Sequence, residues 1–356
     1  MTKNILEYLW IDGSLPVENI RSKARIANLG NNVTIDSFPE WSFDGSSTNQ
    51  ADGGDSDCIL KPVNFVKDPI RGEGNYLVMC EVFNADGTSH KTNIRRHLVD
   101  LLESGAKNED PWVGFEQEYT LFENNNQPFK WPTNGYPGPQ GPYYCGAGAD
   151  KVAGRDLVEE HFKACIDAGI MIYGINAEVM PAQWEFQIGY RGIEGEDAGI
   201  LNVSDHIWIA RWLLSRLAEK HNIIVSFDNK PIKGDWNGAG LHTNFSTTDI
   251  RDPKKGLQAI EDAMQNLEKR HAEHIAVYGH NLHERLTGLH ETSGIEEFSY
   301  GNADRGCSIR IPRPVQLKGC GYFEDRRPGA NSNPYSIAYE LVNTVCFQGN
   351  KSALAA

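Results

Sequence analysis

The stretch Asn176-Ala-Glu-Val-Met-Pro-Ala-Gln-Trp-Glu-Phe186 sets two carboxylates, Glu178 and Glu185, seven positions apart in an otherwise apolar, strand-like run. Charges in such a run are costly unless something offsets them. In one unbroken strand an odd separation puts two residues on opposite faces. Met180-Pro181 interrupts the run, because proline cannot donate to a sheet ladder. We therefore read two short strands joined by a turn, which lets both carboxylates face one cavity. Two solvated edge residues are the plainer alternative.

A second pair stands in residues 113–122, where Phe115, Gln117, Tyr119 and Leu121 alternate with Glu116, Glu118 and Thr120. A spacing of two puts both glutamates on one strand face. His242-Thr-Asn244-Phe-Ser246 repeats the device, with His242, Asn244 and Ser246 together and Leu241 and Phe245 opposite. Gly238-Ala-Gly240 ahead of it permits close backbone approach. Gly321-Tyr-Phe-Glu-Asp-Arg-Arg-Pro328 reads as a further strand with Tyr322, Glu324 and Arg326 on one side. If these strands share a sheet, five glutamates and one histidine converge.

Two unit charges about 4 Å apart repel by roughly 4 kcal/mol at an effective dielectric near ~20, so such a cluster is not stable unaided. Divalent cations resolve the conflict. Carboxylate oxygens with one imidazole suit Mg²⁺ or Mn²⁺, whereas zinc favours cysteine and several histidines. A Glu-rich metal site flanked by arginines is a natural clamp for a phosphate in transit. Arginines lie in Arg285-Leu-Thr-Gly-Leu-His-Glu291 and in Arg305-Gly-Cys-Ser-Ile-Arg310, where Arg310 leaves a strand on its polar face. Arginine captures carboxylate or phosphate in a bidentate manner. Salt bridges on a surface sheet would also account for each arginine singly.

At 356 residues the chain exceeds a usual single core, and two unequal domains are expected. A net charge of -14 argues against nucleic acid or an anionic membrane as main partner. Residues 285–327 nevertheless hold seven Lys or Arg against six Asp or Glu, which fits an anion site or a solvated face. Seven cysteines without a Cys-x-x-Cys pair do not make a disulfide framework. A cytoplasmic setting is the simplest reading, since the first residues lack the apolar core of a signal peptide and no run of about 18 apolar residues occurs.

In order, Leu6 to Asp12, Cys58 to Lys61 and Asn75 to Phe83 read as strands of a small β domain, residues 1–87. Trp41 to Thr48 is too rich in turn residues for a strand, and Asp44 reads as an Asx turn. Thr92 as N-cap opens a helix to about Glu103, stopped by Gly105, and marks the start of the larger domain, 88–356. Lys130 to Asp150 is a long Gly, Pro and Tyr segment, and loops of that length are usually functional. It opens no βαβ unit and carries no P-loop. Helices are expected at about Arg155 to Ala168, at Asp205 to Lys220 capped by Ser204, from Asp252-Pro253 to near Gly279, and from Asn333-Pro334 to about Val345.

The sequence resembles the glutamine synthetase family, in the shorter type II form common in eukaryotes and found in some bacteria, over nearly its whole length. The resemblance is carried by Phe43-Asp-Gly-Ser-Ser-Thr48, Glu116-Gln-Glu-Tyr-Thr-Leu121, Gly138-Pro-Gln-Gly-Pro-Tyr-Tyr144, Asn176 to Gln187, Asp235-Trp-Asn-Gly-Ala-Gly240, His242 to Ser246, Arg285-Leu-Thr-Gly288 and Tyr322 to Pro328. It implies an α+β fold: a small N-terminal β-grasp domain and a larger catalytic domain whose curved antiparallel sheet is flanked by helices. It also implies ATP-dependent amidation of L-glutamate with ammonium, using two or three Mg²⁺ or Mn²⁺ ions, in a decamer of two pentameric rings whose active sites lie between subunits.

Carried over motif by motif, Glu118, Glu178 and Glu185 would hold one metal and Glu116, His242 and Glu324 another. Asn237, Gly238 and Arg285 would hold glutamate. Arg305 and Arg326 would attend the transferring phosphate, and Arg310 the nucleotide. Trp112, Asn244, Ser246, Arg251 and Tyr322 would line the ATP site, and Asp44 and Glu291 would handle ammonium.

Three departures accompany the resemblance. The N-terminus lacks the leading helical extension of many relatives, the loop after Gly189 is longer, and Asp304 stands where Asn usually precedes the phosphate arginine. As a strand neighbour of Arg305, Asp304 is expected to face away from it. Rival functions are a glutamate ligase for a larger amine, an inactive scaffold or nitrogen-sensing homologue, and a guanidino kinase, whose cysteine motif is not recognisable. The presence of both Asp44 and Glu291 favours ammonium, and the full metal and arginine sets oppose an inactive relative.

Overall fold

The computed structural model describes residues 3–350; the outermost residues of both expected domains, 1–2 and 351–356, lie outside it. Strands β1 (Asn4–Ile11), β2 (Ile20–Ala27), β3 (Trp41–Asp44), β4 (Asp57–Lys67) and β5 (Tyr76–Asn84) form one sheet in the order β2-β1-β5-β4-β3. The β1–β5 pairing is parallel and the others are antiparallel. Leu6, Tyr8, Trp10, Phe43, Leu60 and Val78 close its core.

Two expectations fail here for local reasons. Trp41–Asp44 is a strand, because Phe43 fills the core and Trp41 stacks edge-on against Tyr8 at 5.5 Å. The turn residues begin only at Gly45, in a 3-10 turn. β4 also runs through Pro62 where a stop was expected, and the register shifts between Pro62 and Asn64, a bulge that accommodates the missing N–H.

A second sheet contains β6 (Trp112–Phe122), β7 (Ile172–Ala177), β8 (Gln183–Ile188), β9 (Ile224–Ser226), β10 (Leu241–Ser246), β11 (Tyr300–Asn302), β12 (Ile309–Ile311) and β13 (Phe323–Asp325). Its order is β11-β12-β13-β10-β6-β8-β7, with β9 pairing β6, and only β11–β12 is parallel among the described residues. The turn expected at Met180-Pro181 joins β7 to β8, with Ala182 in the left-handed region at φ 68°. The strand expected over Gly321 to Pro328 is only Phe323–Asp325.

Helices α1 (Ile94–Glu103), α2 (Arg155–Ala168), α3 (Ile200–His221), α4 (Thr248–Arg251), α5 (Gly256–Lys269), α6 (His271–Val277), α7 (Arg313–Lys318) and α8 (Pro334–Phe347) complete the fold. Asn93, not Thr92, caps α1, its side chain accepting from Arg96 N–H; Thr92 Oγ1 is taken by Gln50 and His90 instead. α3 starts at Ile200 and swallows the expected cap Ser204, which is buried. The single helix expected over 252–279 is broken at Arg270 into α5 and α6.

The small sheet is joined to helices α1, α3 and α8 by a buried polar knot. Asp205 on α3 accepts from Arg95 at 2.8 and 3.0 Å, from Tyr335 Oη at 2.6 Å and from Asn64 at 3.0 Å. Arg95 also reaches Glu81 on β5 at 2.7 Å. Removing one partner from such a buried pair costs about 3–5 kcal/mol, so the knot fixes the small sheet against these helices. No helix among the described residues is long and apolar enough to cross a membrane.

Candidate active site

The carboxylates form a row because of sheet register. β6 pairs β8 with Glu118 opposite Glu185, and β10 with Glu116 opposite His242. β13 brings Glu324 opposite Asn244 on one side and Arg310 on the other. Glu178 follows the last residue of β7, where its N–H donates to Gln183 O at 2.9 Å and turns it toward the same space. All five glutamates and His242 line one cavity of about 630 Å³, together with Asn237, Gly238, Arg285, Glu291, Arg305, Arg310, Tyr322 and Arg326.

Five residues expected at the site do not line this cavity. Asn244 is adjacent, donating to Glu116 at 2.9 Å. Trp112, Ser246 and Arg251 form a separate group beyond it: the Arg251 guanidinium lies 4.0 Å over the Trp112 ring and donates to Ser246 Oγ at 2.9 Å. Asp44 is on the other sheet and exposed, and caps its own turn by accepting from Ser46 N–H at 3.0 Å and from the Ser46 and Ser47 hydroxyls at 2.6 and 2.7 Å. Those bonds, the Ser46 hydroxyl first, hold its pKa at about 2.

Charge is unevenly matched. Glu324 accepts from both Arg310 and Arg326 at 2.7 Å. The other four carboxylates take only neutral donors. Glu116 has Asn244, Glu118 has Gly240 N–H at 2.5 Å, Glu178 has Asn176 at 2.9 Å, and Glu185 has the Gln187 amide. Burial, then the Glu178 charge, pushes Glu118 up to about 8. Burial, then Glu116, Glu118 and Glu178, pushes Glu185 well above the usual carboxylate range. His242 is pushed well below its ordinary value, chiefly by burial and then by Arg326, so it is a neutral imidazole, and its Nδ1 faces Glu116 and Glu324 at 3.7 and 3.6 Å.

Ligand atoms of Glu116, His242 and Glu324 lie within 4.8 Å of one another, and so do those of Glu118, Glu185 and His242. The first trio is the expected one. In the second, His242 stands where Glu178 was expected, because the Glu178 carboxylate is drawn to Asn176 and to the Val179 N–H at 3.3 Å. Hard oxygens, one neutral imidazole and unpaired negative charge fit Mg²⁺ or Mn²⁺.

Arg285 lines the cavity wall, donating to the Arg326 and Arg327 carbonyls at 3.0 and 3.2 Å and to His242 Nε2 at 3.0 Å. Gly238 is required beside it: a Cβ there would stand 2.8 Å from Arg285 Cγ and 2.9 Å from the Asn229 carbonyl. Asp304 and Arg305 lie in a turn, not a strand, and the Asp304 carboxylate is taken up by the Gly306 N–H at 2.8 Å. The loop after Gly189 packs Tyr190 edge-on against Trp112 at 5.0 Å.

Gln140, Tyr144, Tyr173, Asn176, Gln187 and His290 also line the cavity. Gln187 was findable, since it follows Glu185 by two. Tyr173 was not, because a bulge between Ile172 and Gly174 flips the alternation of β7.

Residues 2–85 match the family description of the glutamine synthetase β-grasp domain, and residues 89–342 that of its catalytic domain. The chain belongs to the glutamine synthetase family. It is 53% identical to a glutamine synthetase of Candida glabrata over 97% of this chain and 89% of the relative. To one of Colletotrichum gloeosporioides it is 54% identical over 95% and 91%. The fold is shared with a cryo-EM structure of Plasmodium falciparum glutamine synthetase at a TM-score of 0.73 and 16% identity, over 99% of this chain and 73% of that one.

The raised Glu118 value gives the metal-free protein a distinctive pH response. In the unfolded chain Glu118 loses its proton near pH 4.5, but in the fold only near about 8. Between these values the unfolded chain holds fewer protons, so rising pH removes about 1.4 kcal/mol of stability per unit. Chelator-treated protein should melt at progressively lower temperature from pH 5 to pH 8, and Glu118→Gln should make that fall shallower, Glu185 accounting for the remainder. An equal slope in the variant would contradict the assignment.

Proposed function

We infer that this chain is a glutamate–ammonia ligase, forming L-glutamine, ADP and phosphate from L-glutamate, ammonium and ATP through γ-glutamyl phosphate. The observation that carries the reading is the row of carboxylates and arginines around one cavity, in a chain that matches both glutamine synthetase domains. A free carboxylate does not react with ammonia because its leaving group would be oxide. Phosphorylation first supplies a better one.

In this reading Asn237, Gly238 and Arg285 bind glutamate, with Arg285 held in place by its backbone bonds. Arg305 and Arg326 take the oxygens of the phosphate in transit, and Arg310 those of the nucleotide. Trp112, Asn244, Ser246, Arg251 and Tyr322 receive ATP. Two or three Mg²⁺ or Mn²⁺ ions held by Glu116, Glu118, Glu178, Glu185, His242 and Glu324 would supply the positive charge that neutralises and orients the phosphates.

Glu291 stands on the loop over the cavity, its carboxylate 4.0 Å from Arg326. There it attracts ammonium, accepts its proton before attack, and helps exclude water. Asp44, exposed and outside its own chain's cavity, is read as serving a neighbouring subunit's site, in a decamer of two pentameric rings. That arrangement joins residues 1–87 of one subunit to residues 88–356 of the next. Seven free cysteines support a reducing, cytoplasmic setting.

Two experiments test the reading. With ATP and glutamate, Glu291→Ala should still release phosphate, yet form glutamine more slowly by about 10²-fold or more, as expected for loss of a general base. Equal losses in both would assign Glu291 to nucleotide or metal binding, and methylamine or polyamines outcompeting ammonium in the unaltered protein would favour the larger-amine ligase. Mixed and reassembled Asp44→Ala and Glu185→Ala subunits, each inactive alone, should regain partial activity. Full activity in isolated monomers would contradict the shared site.

A further inference from the structure

Asp325, the last residue of β13, and Arg327 just beyond it alternate with Glu324 and Arg326, and both are buried and do not line the cavity. Arg327 Nε donates to Asp325 Oδ1 at 2.9 Å and its Nη2 to Oδ2 at 2.7 Å. The remaining nitrogen, Nη1, donates to His271 Nδ1 at 3.0 Å. A ring nitrogen that accepts carries no proton, so the proton of the neutral ring is on Nε2, which donates to the Ile295 carbonyl at 2.8 Å.

Ile295 closes the loop that carries Glu291. Its N–H donates to Leu286 O at 3.0 Å, beside the Thr287–Gly294 bridge. At the other root Arg285 is bonded to the Arg326 and Arg327 carbonyls. The contacts make a closed circuit, from Ile295 through His271 and Arg327 to Arg285, Leu286 and back. Within the loop His290 and Glu291 both sit at positive φ, 53° and 59°, which two non-glycine residues hold only when the surroundings impose it.

We propose that His271 is a positioning residue for this flap: by joining Ile295 to Arg327 it fixes the root of residues 287–294 to the segment 324–327, which carries Glu324 and Arg326. It thereby sets where the Glu291 carboxylate stands. His271 does not line the cavity and acts through the Ile295 carbonyl. The consequence for catalysis rests on the reading of Glu291 given above.

The test uses the full-length oligomer. His271→Phe keeps a ring beside Phe298, 5.9 Å away, and removes both bonds, whereas His271→Gln keeps an N–H for the Ile295 carbonyl. Amides of residues 286–295 should exchange with deuterium about 3- to 10-fold faster in His271→Phe, the range for one lost hydrogen bond, with the rest of the chain unchanged. Glutamine formed per phosphate released should fall to below about half while phosphate release stays within about twofold, as an opened site predicts. His271→Gln should restore both.

Unchanged exchange over 286–295 overturns the proposal, and so does a parallel loss of phosphate release and amidation, which general loosening produces. If Glu291→Ala itself leaves glutamine per phosphate unchanged, the reading of Glu291 fails and the exchange result alone decides on His271. Should His271→Phe not fold, His271→Ala at the same half-buried helix start carries both measurements.

Discussion

The antiparallel register of β6 with β8 and β10 is the constraint on which the site depends. It sets Glu118 against Glu185, like charges directly opposed, a pairing that is unfavourable by itself. What holds it is the other face of the same strands, where Phe115, Tyr119, Trp184, Phe186 and Ile188 are buried. Each such side chain contributes roughly 1.5–3 kcal/mol by leaving water. A slip of one residue would turn that apolar set into the cavity and the glutamates into the core.

Polar support behind the sheet makes the row rigid as well as fixed in register. Gln117, between Glu116 and Glu118, faces backward and accepts from Arg211 at 2.7 Å, and Arg211 also donates to the Ser332 and Ala330 carbonyls at 3.0 Å. Burial lowers the Arg211 pKa to about 9. Asp325 and Arg327 do the same behind β13. β6 and β13 therefore each have a residue beside their cavity-facing acids tied to a neighbouring segment, which limits how far those acids can move.

Much of this was legible because alternation in a strand is a strong signal. Glu116 with Glu118, and Glu324 with Arg326, reach the cavity as a period of two requires, and the break at Pro181 correctly separated β7 from β8. Features that depend on contacts distant in sequence were hidden. Trp41 to Asp44 reads as a turn until Phe43 finds its core, and Ser204 reads as a cap until α3 extends through it. The bulge that brings Tyr173 inward leaves no mark on composition. Residues on loops, such as His290, reach the cavity through pairings with Gln140 at 3.1 Å and Asp235 at 3.1 Å that no periodicity announces.

The carboxylate row offers groups that could hold divalent cations, and the fold carries its repulsion when they are absent. The most direct measurement is thermal unfolding of Glu185→Gln against the unaltered protein, each with chelator and with millimolar Mg²⁺ or Mn²⁺. The neutral amide should raise the melting temperature of the metal-free protein, and added metal should stabilise the unaltered protein but scarcely move the variant. A metal-free variant less stable than the unaltered protein, with its response to metal intact, would contradict it.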